Sequence, residues 1–189
     1  LPADGRYTLL VEGRRSAALQ RNAYRFNLVP VATGVTDVTL DQQVGLAPVF
    51  AAGRLGQALV LDGLRSVQLP DDAATNQRDS LTVEAWINPT RFADTWMPIV
   101  TKDATGSQRS YSLWLNANGH LWFTSTPESR VGVGELGVGT PTGLIQAGQW
   151  YHFATVLDSD AAKMRIYVNG ELKAEGAYAA SDIRTSTGP

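Results

Sequence analysis

The sequence predicts an all-β fold built from two antiparallel sheets, and three observations carry that expectation. Runs rich in Val, Ile, Thr, Tyr and Trp recur between clusters of Gly, Asn, Asp and Pro, the pattern of short strands joined by turns. Apolar residues alternate along those runs at the two-residue period of a strand, and the best helical candidate, residues 16–21, is too short to matter. Two hairpin turns stand in the chain, Asn116-Ala117-Asn118-Gly119 and Asn169-Gly170. Short strands at this spacing with no helices between them mean a sandwich or a barrel.

Residues 6–11 follow an Asp4-Gly5 turn and form the first expected strand; residues 23–29 form its partner, with Tyr24, Phe26 and Leu28 on one face. Residues 30–35 read as a linker. A lone hairpin is marginal in water. Residues 1–35 are therefore expected to be a hairpin, or the tail of a preceding β domain, and residues 36–189 the sandwich.

Within the sandwich, residues 59–61 make a short strand ending at Asp62-Gly63, and residues 67–69 another stopped by Pro70. Residues 81–88 give the clearest strand. Leu81, Val83, Ala85 and Ile87 share one face, Thr82, Glu84, Trp86 and Asn88 the other, and Pro89 ends it. Residues 111–115 and 120–125 flank the first hairpin turn, and residues 150–157 form a further strand. Residues 164–168 and 171–175 flank Asn169-Gly170, a pair suited to a type I′ turn because both residues accept positive φ. The chain has no internal repeat.

Composition removes several classes of function. With 43% hydrophobic and 18% charged residues, the chain can bury a core and lies outside the disordered class. Its net charge is −2, with Lys and Arg scattered, so it lacks the basic stripe that a nucleic-acid partner needs. No apolar run reaches the roughly 18 residues of a membrane span. The absence of cysteine excludes a thiol nucleophile, a thiolate metal site and a disulfide framework, and is compatible with a surface protein. The chain begins at Leu1 rather than Met and reads as a segment of a larger protein.

Five segments in order resemble bacterial laminin-G-like domains of the concanavalin A-like lectin/glucanase kind. They are Gly53-Arg54-Leu55-Gly56-Gln57-Ala58-Leu59-Val60-Leu61-Asp62-Gly63, Leu81-Thr82-Val83-Glu84-Ala85-Trp86-Ile87-Asn88-Pro89, Pro98-Ile99-Val100-Thr101-Lys102, Gly148-Gln149-Trp150-Tyr151-His152-Phe153-Ala154 and Ile166-Tyr167-Val168-Asn169-Gly170. The resemblance spans roughly residues 37–180. It implies an antiparallel jelly-roll β-sandwich with one sheet often concave, in domains that mostly bind glycans or proteins, often with calcium. The family usually closes with a glycine-rich strand and then a strand carrying an acidic residue. Here Thr185-Ser186-Thr187-Gly188-Pro189 ends the chain. The sandwich is expected to be truncated at its C-terminal end or completed from elsewhere, with the N-terminal hairpin as one candidate. Asp4-Gly5-Arg6-Tyr7-Thr8-Leu9 and Tyr24-Arg25-Phe26-Asn27-Leu28 resemble the end of a bacterial pre-peptidase C-terminal domain, which implies a multidomain extracellular or cell-surface parent.

Glucanases of this fold use two carboxylates on one strand as acid and nucleophile. The comparable strand here offers Glu84 alone, followed by Trp86 and Asn88, so the expectation is a non-catalytic domain. Gly132-Val133-Gly134-Glu135-Leu136-Gly137 matches G-x-G-x-x-G in letters, but Gly139, Pro141 and Gly143 follow where a nucleotide site needs a helix. The segment is expected to be a flexible inter-strand loop. His152 lies mid-strand and reads as structural; no Gly-x-Ser-x-Gly elbow is present.

Calcium is the candidate cofactor, since it takes carboxylate and carbonyl oxygens gathered from loops. Asp62 is the first-choice ligand on the resemblance, with Asp71 and Asp72 in the oxygen-rich loop that follows; ordinary Asx turns are the competing explanation. For a glycan, ring faces matter. By parity Trp86, Trp114 and Trp122 oppose the aliphatic face of their strands. Trp86 and Trp150 recur in the resemblance as scaffold and are expected in the core. Trp96, Trp114 and Trp122, with Asn116 and His120 beside them, are the candidate ligand-binding residues.

Three functions fit: a lectin-like or adhesin module for a glycan or extracellular protein, a structural spacer, or an accessory domain that targets an enzyme to a polysaccharide. Exposed tryptophans favour binding; burial of all five favours the spacer.

Overall fold

A computed structural model describes residues 7–14, 21–28, 49–62, 67, 76–92, 96–103, 108–178 and 182–185. Among them are twelve strands and no α-helix: β1 (Tyr7–Arg14), β2 (Arg21–Leu28), β3 (Phe50–Ala52), β4 (Gln57–Leu59), β5 (Leu81–Ile87), β6 (Met97–Asp103), β7 (Arg109–Leu115), β8 (Leu121–Ser125), β9 (Leu136–Gly139), β10 (Tyr151–Asp158), β11 (Lys163–Val168) and β12 (Glu171–Ala177). A six-stranded sheet runs β12-β11-β10-β5-β1-β2 and a four-stranded sheet runs β6-β7-β8-β9; β3 and β4 form a small pair. Every pairing is antiparallel.

Alternation builds the core. Tyr151, Phe153, Thr155 and Leu157 of β10 are buried, as are Leu81 and Val83 of β5 and Met164, Ile166 and Val168 of β11. They face Tyr111, Leu113 and Leu115 of β7, Leu121 and Phe123 of β8 and Val138 of β9 in one cluster. Both hydroxyls in the β10 row are satisfied: Thr155 Oγ1 donates to the Val83 carbonyl at 3.3 Å, and the Tyr151 hydroxyl donates to Gln149 Oε1 at 3.1 Å. Charge sits on the opposite face, where Arg165 holds Asp158 at 3.1 Å and Glu175 at 2.8 Å, contacts that add little stability when exposed.

Several sequence expectations need revision. The strand expected at residues 59–61 lies at β4 and pairs with β3, Phe50 opposite Leu59. Of the strand expected at residues 67–69 only Val67 is described, and it lies outside any strand. The segment expected to be a flexible glycine loop, residues 132–137, runs into a strand: its last two residues, Leu136 and Gly137, begin β9, which pairs with β8. The N-terminal hairpin is present and joins the large sheet: Val11 pairs with Val83 and Glu12 with Thr82, so β5 has a partner on both edges. The Asn169-Gly170 turn has φ values of 51° and 82°, as the pair predicts.

Tyr178 is fully buried, and its hydroxyl donates to Ser125 Oγ at 3.2 Å, which in turn donates to the Ser110 carbonyl at 2.6 Å. Burial pushes the phenols of Tyr178 and Tyr111 up to about 12. In the unfolded chain both titrate near 10. The folded state therefore holds these protons more tightly, and its stability is unaffected below pH 10 and lost between pH 10 and 12. Denaturant melts across that window are expected to show a fall in stability that Tyr178→Phe makes shallower; an equal slope in both proteins refutes the assignment.

Candidate functional site

The outward face of the four-stranded sheet follows from parity. Ser112 and Trp114 of β7 stand opposite Thr124 and Trp122 of β8, and these in turn stand opposite Gly137 and Gly139 of β9. The glycines decide how Trp122 lies. A Cβ at residue 137 would come within 2.7 Å of Trp122 Cζ2, and one at residue 139 within 2.6 Å of Cε3. The indole is laid across the bare backbone of β9, half-buried, with side chains excluded beneath it.

Two further rings gather at the end of the sheet where β8 begins. Trp96 immediately precedes β6 and His120 immediately precedes β8. Their ring centroids are 5.0 Å apart at 87°; Trp96 stands 6.5 Å and His120 6.4 Å from Trp122. Trp96 is 44% exposed, so the cluster faces solvent.

The turn between β7 and β8 holds this corner. Asn116 Oδ1 accepts the Asn118 backbone N–H at 3.1 Å, an Asx turn. Asn118 Oδ1 accepts the His120 backbone N–H at 3.2 Å and contacts His120 Nδ1 at 2.6 Å. Gly119 fixes the turn against the following segment: its carbonyl accepts Ile145 N–H at 2.8 Å, and a Cβ there would meet Ile145 O at 2.4 Å. Burial lowers the His120 pKa from its ordinary value, which keeps the ring neutral at pH 7.

Trp96, His120 and Trp122 are thus brought together, with Asn116 in the supporting turn. Trp114 shares the face but not the cluster: its ring packs against the Arg109 guanidinium at 4.8 Å, and Arg109 binds both Glu135 carboxylate oxygens at 3.1 and 3.2 Å. On the same face Ser110 and Thr124 are buried hydroxyls with no hydrogen-bond partner among the described residues.

Trp86 does not lie in the core as the resemblance led us to expect. It is 40% exposed on the outer face of the six-stranded sheet, opposite the Ala85 and Ile87 side of β5 that packs against the core. His152, its cross-strand partner, meets it edge-on at 5.4 Å, and Arg54 lies 5.4 Å above its ring. His152 Nε2 is 3.6 Å from Glu84 Oε2, so Glu84 belongs to this second face.

For calcium, Asp62 is half-buried just after β4, while Asp71 and Asp72 lie outside the described residues. Among the described residues no three His, Cys, Asp or Glu side chains gather as a metal site. Asp62 alone supplies far fewer oxygens than the six to eight calcium takes. Sequence reasoning missed Asn118, Gly137 and Gly139. Glycines two residues apart, on one face of a strand, were the available signal.

A family model described as the concanavalin A-like lectin/glucanases superfamily matches residues 61–189. Among solved structures, similarity extends to a candidate carbohydrate-binding protein from Bacteroides ovatus (25% identity, 56% of this chain and 28% of that one, TM-score 0.40). It also extends to a SAP-like pentraxin from Limulus polyphemus (19%, 59% and 50%, 0.42) and to Ruminococcus gnavus IT-sialidase CBM40 bound to α2,3 sialyllactose (16%, 57% and 58%, 0.41). The chain therefore spans between 28% and 58% of those chains. With every TM-score below 0.5, none of these likenesses bears on the ligand. No curated protein matches the sequence.

Proposed function

The chain belongs to the concanavalin A-like lectin/glucanases superfamily, and from that premise we propose that it is a non-catalytic carbohydrate-binding module of a larger secreted or cell-surface protein. The observation that carries this reading is the Trp122 ring laid over Gly137 and Gly139 with Trp96 and His120 around it. A pyranose offers an apolar CH face and a rim of hydroxyls. A flat indole suits the first, and a few placed polar groups suit the second. Glycoside hydrolysis needs two carboxylates flanking the bond. Glu84 stands on the other sheet beside His152, and Glu135 is held by Arg109.

A glycan array probed with the chain, and with Trp122→Ala, tests this function. Selective binding lost in the variant is expected. A blank array, or binding that Trp122→Ala leaves unchanged, refutes it and moves weight to a spacer or a protein-binding domain.

Calcium support is a separate part of the proposal, with Asp62 as a ligand and Asp71 and Asp72 completing the oxygen set. A ligand bound only by the native state raises the melting temperature. Adding calcium is expected to raise it in the natural chain and not in Asp62→Ala. A rise of equal size in both removes Asp62 from the site.

A further inference from the structure

The hydrogen bonds around His120 fix more than its position. Asparagine oxygen and nitrogen are ordinarily hard to tell apart, but here the backbone settles the matter. The His120 backbone N–H can only donate, so the Asn118 atom it meets at 3.2 Å is the oxygen. That same oxygen lies 2.6 Å from His120 Nδ1. An oxygen acceptor requires Nδ1 to carry the proton. In a neutral imidazole the other nitrogen, Nε2, then keeps its lone pair. Among the described residues Nε2 has no hydrogen-bond partner, and it belongs to the ring that stands 6.4 Å from Trp122.

We infer that Asn118 is a positioning residue that holds His120 as the Nδ1–H tautomer, so that Nε2 accepts a hydrogen bond from a hydroxyl of an uncharged sugar stacked on Trp122. The inference rests on the carbohydrate reading of this face and adds the ligand's chemistry to it. An imidazole lone pair repels a carboxylate or sulfate, and among the described residues the groups around the ring offer no cation to offset that. Trp96, Trp122, Asn116 and Asn118 are uncharged, and burial alone shifts the imidazole. Arg109, further along the face, is engaged by Glu135. Neutral hexoses or pentoses are the ligand class; uronates and sulfated sugars are discriminated against at neutral pH.

The tautomer is measured without any sugar. Long-range proton–nitrogen correlation spectra of the nitrogen-15-labelled chain at pH 8 are expected to show Nδ1 protonated and Nε2 bare at His120. Asn118→Ala is expected to release the ring to the Nε2–H form, and Asn118→Asp, which keeps an oxygen acceptor, to retain Nδ1–H. Melting curves identify any variant that fails to fold.

Binding is then measured with cellohexaose, mannohexaose and xylohexaose as neutral probes and a galacturonate trimer as the acidic one. His120→Phe, which keeps a ring, and Asn118→Ala are each expected to weaken the neutral probe that binds by about tenfold. Asn118→Asp is expected to stay near the natural affinity, and the acidic trimer to bind at least about tenfold more weakly than the neutral probe. An Nε2–H ring in the natural chain overturns the inference, as does an acidic trimer bound as tightly as a neutral probe. Binding that needs Trp122 but ignores His120→Phe also overturns it, while leaving the carbohydrate function standing. If no saccharide binds, both fall, and the spectra still report the tautomer.

Discussion

Gly139→Ala is expected to cost the chain its saccharide affinity while leaving its fold in place. An alanine Cβ at this position would sit 2.6 Å from Trp122 Cε3, inside any real carbon–carbon contact. The backbone of β9 is held by its ladder to β8, so the indole is the part that gives. It lifts or swings, and a ring set for stacking is no longer flat on the sheet. The loss expected is at least about tenfold in affinity, or about 1.4 kcal/mol. Titration calorimetry with whichever saccharide the array identifies measures it. Trp86→Ala, on the outer face of the other sheet, serves as the control and is expected to bind as the natural chain does. Natural affinity in Gly139→Ala refutes the stacking role of Trp122.

The second large effect is on stability. Phe153 is fully buried at the middle of β10, whose neighbours in the sheet are β5 and β11. It belongs to the cluster that also contains Phe123 and Leu113 of the opposing sheet. Truncation to alanine removes the transfer free energy of a ring and leaves a cavity that two sheets cannot close. The expected loss is about 3–5 kcal/mol, a large share of the roughly 5–15 kcal/mol that holds a domain together. Urea denaturation at 25 °C measures it. A loss below about 1 kcal/mol shows that Phe153 is not where the sheets interlock.

Much of the fold was legible because its signals are local. Alternation in residues 81–87 and the Asn-Gly turn need no distant information, and both expectations match the structure. The β9 strand was not legible for a physical reason. Glycine weakens an isolated strand, so Leu136-Gly137-Val138-Gly139 reads as loop until Trp122 is placed against it. Bare backbone is what admits the ring, and that requirement appears only in the paired sheet.

Trp86 teaches the opposite lesson. Its parity placed it away from the aliphatic face, and the structure agrees; weight given to the family resemblance led to the core expectation. Within the candidate site, Trp122 was marked by parity, and His120 by sharing that parity with it. Their meeting with Trp96 depends on β6 pairing with β7, a non-local contact that no window of sequence contains. Asn118 was read only as a turn residue, since its link to His120 depends on side-chain geometry.

The position of β5 has a kinetic consequence. Val83 pairs with Val11 on one edge and with Thr155 on the other, and each partner is 72 residues away along the chain. Neither edge of this central strand can zip from a neighbouring turn, as β7 and β8 can. Closing such long loops must precede any reward from the contacts they bring, and chains dominated by distant pairings fold in milliseconds to seconds rather than microseconds. Until both ends arrive, β5 exposes an apolar row and two open edges, which leaves it prone to pairing with another molecule during refolding.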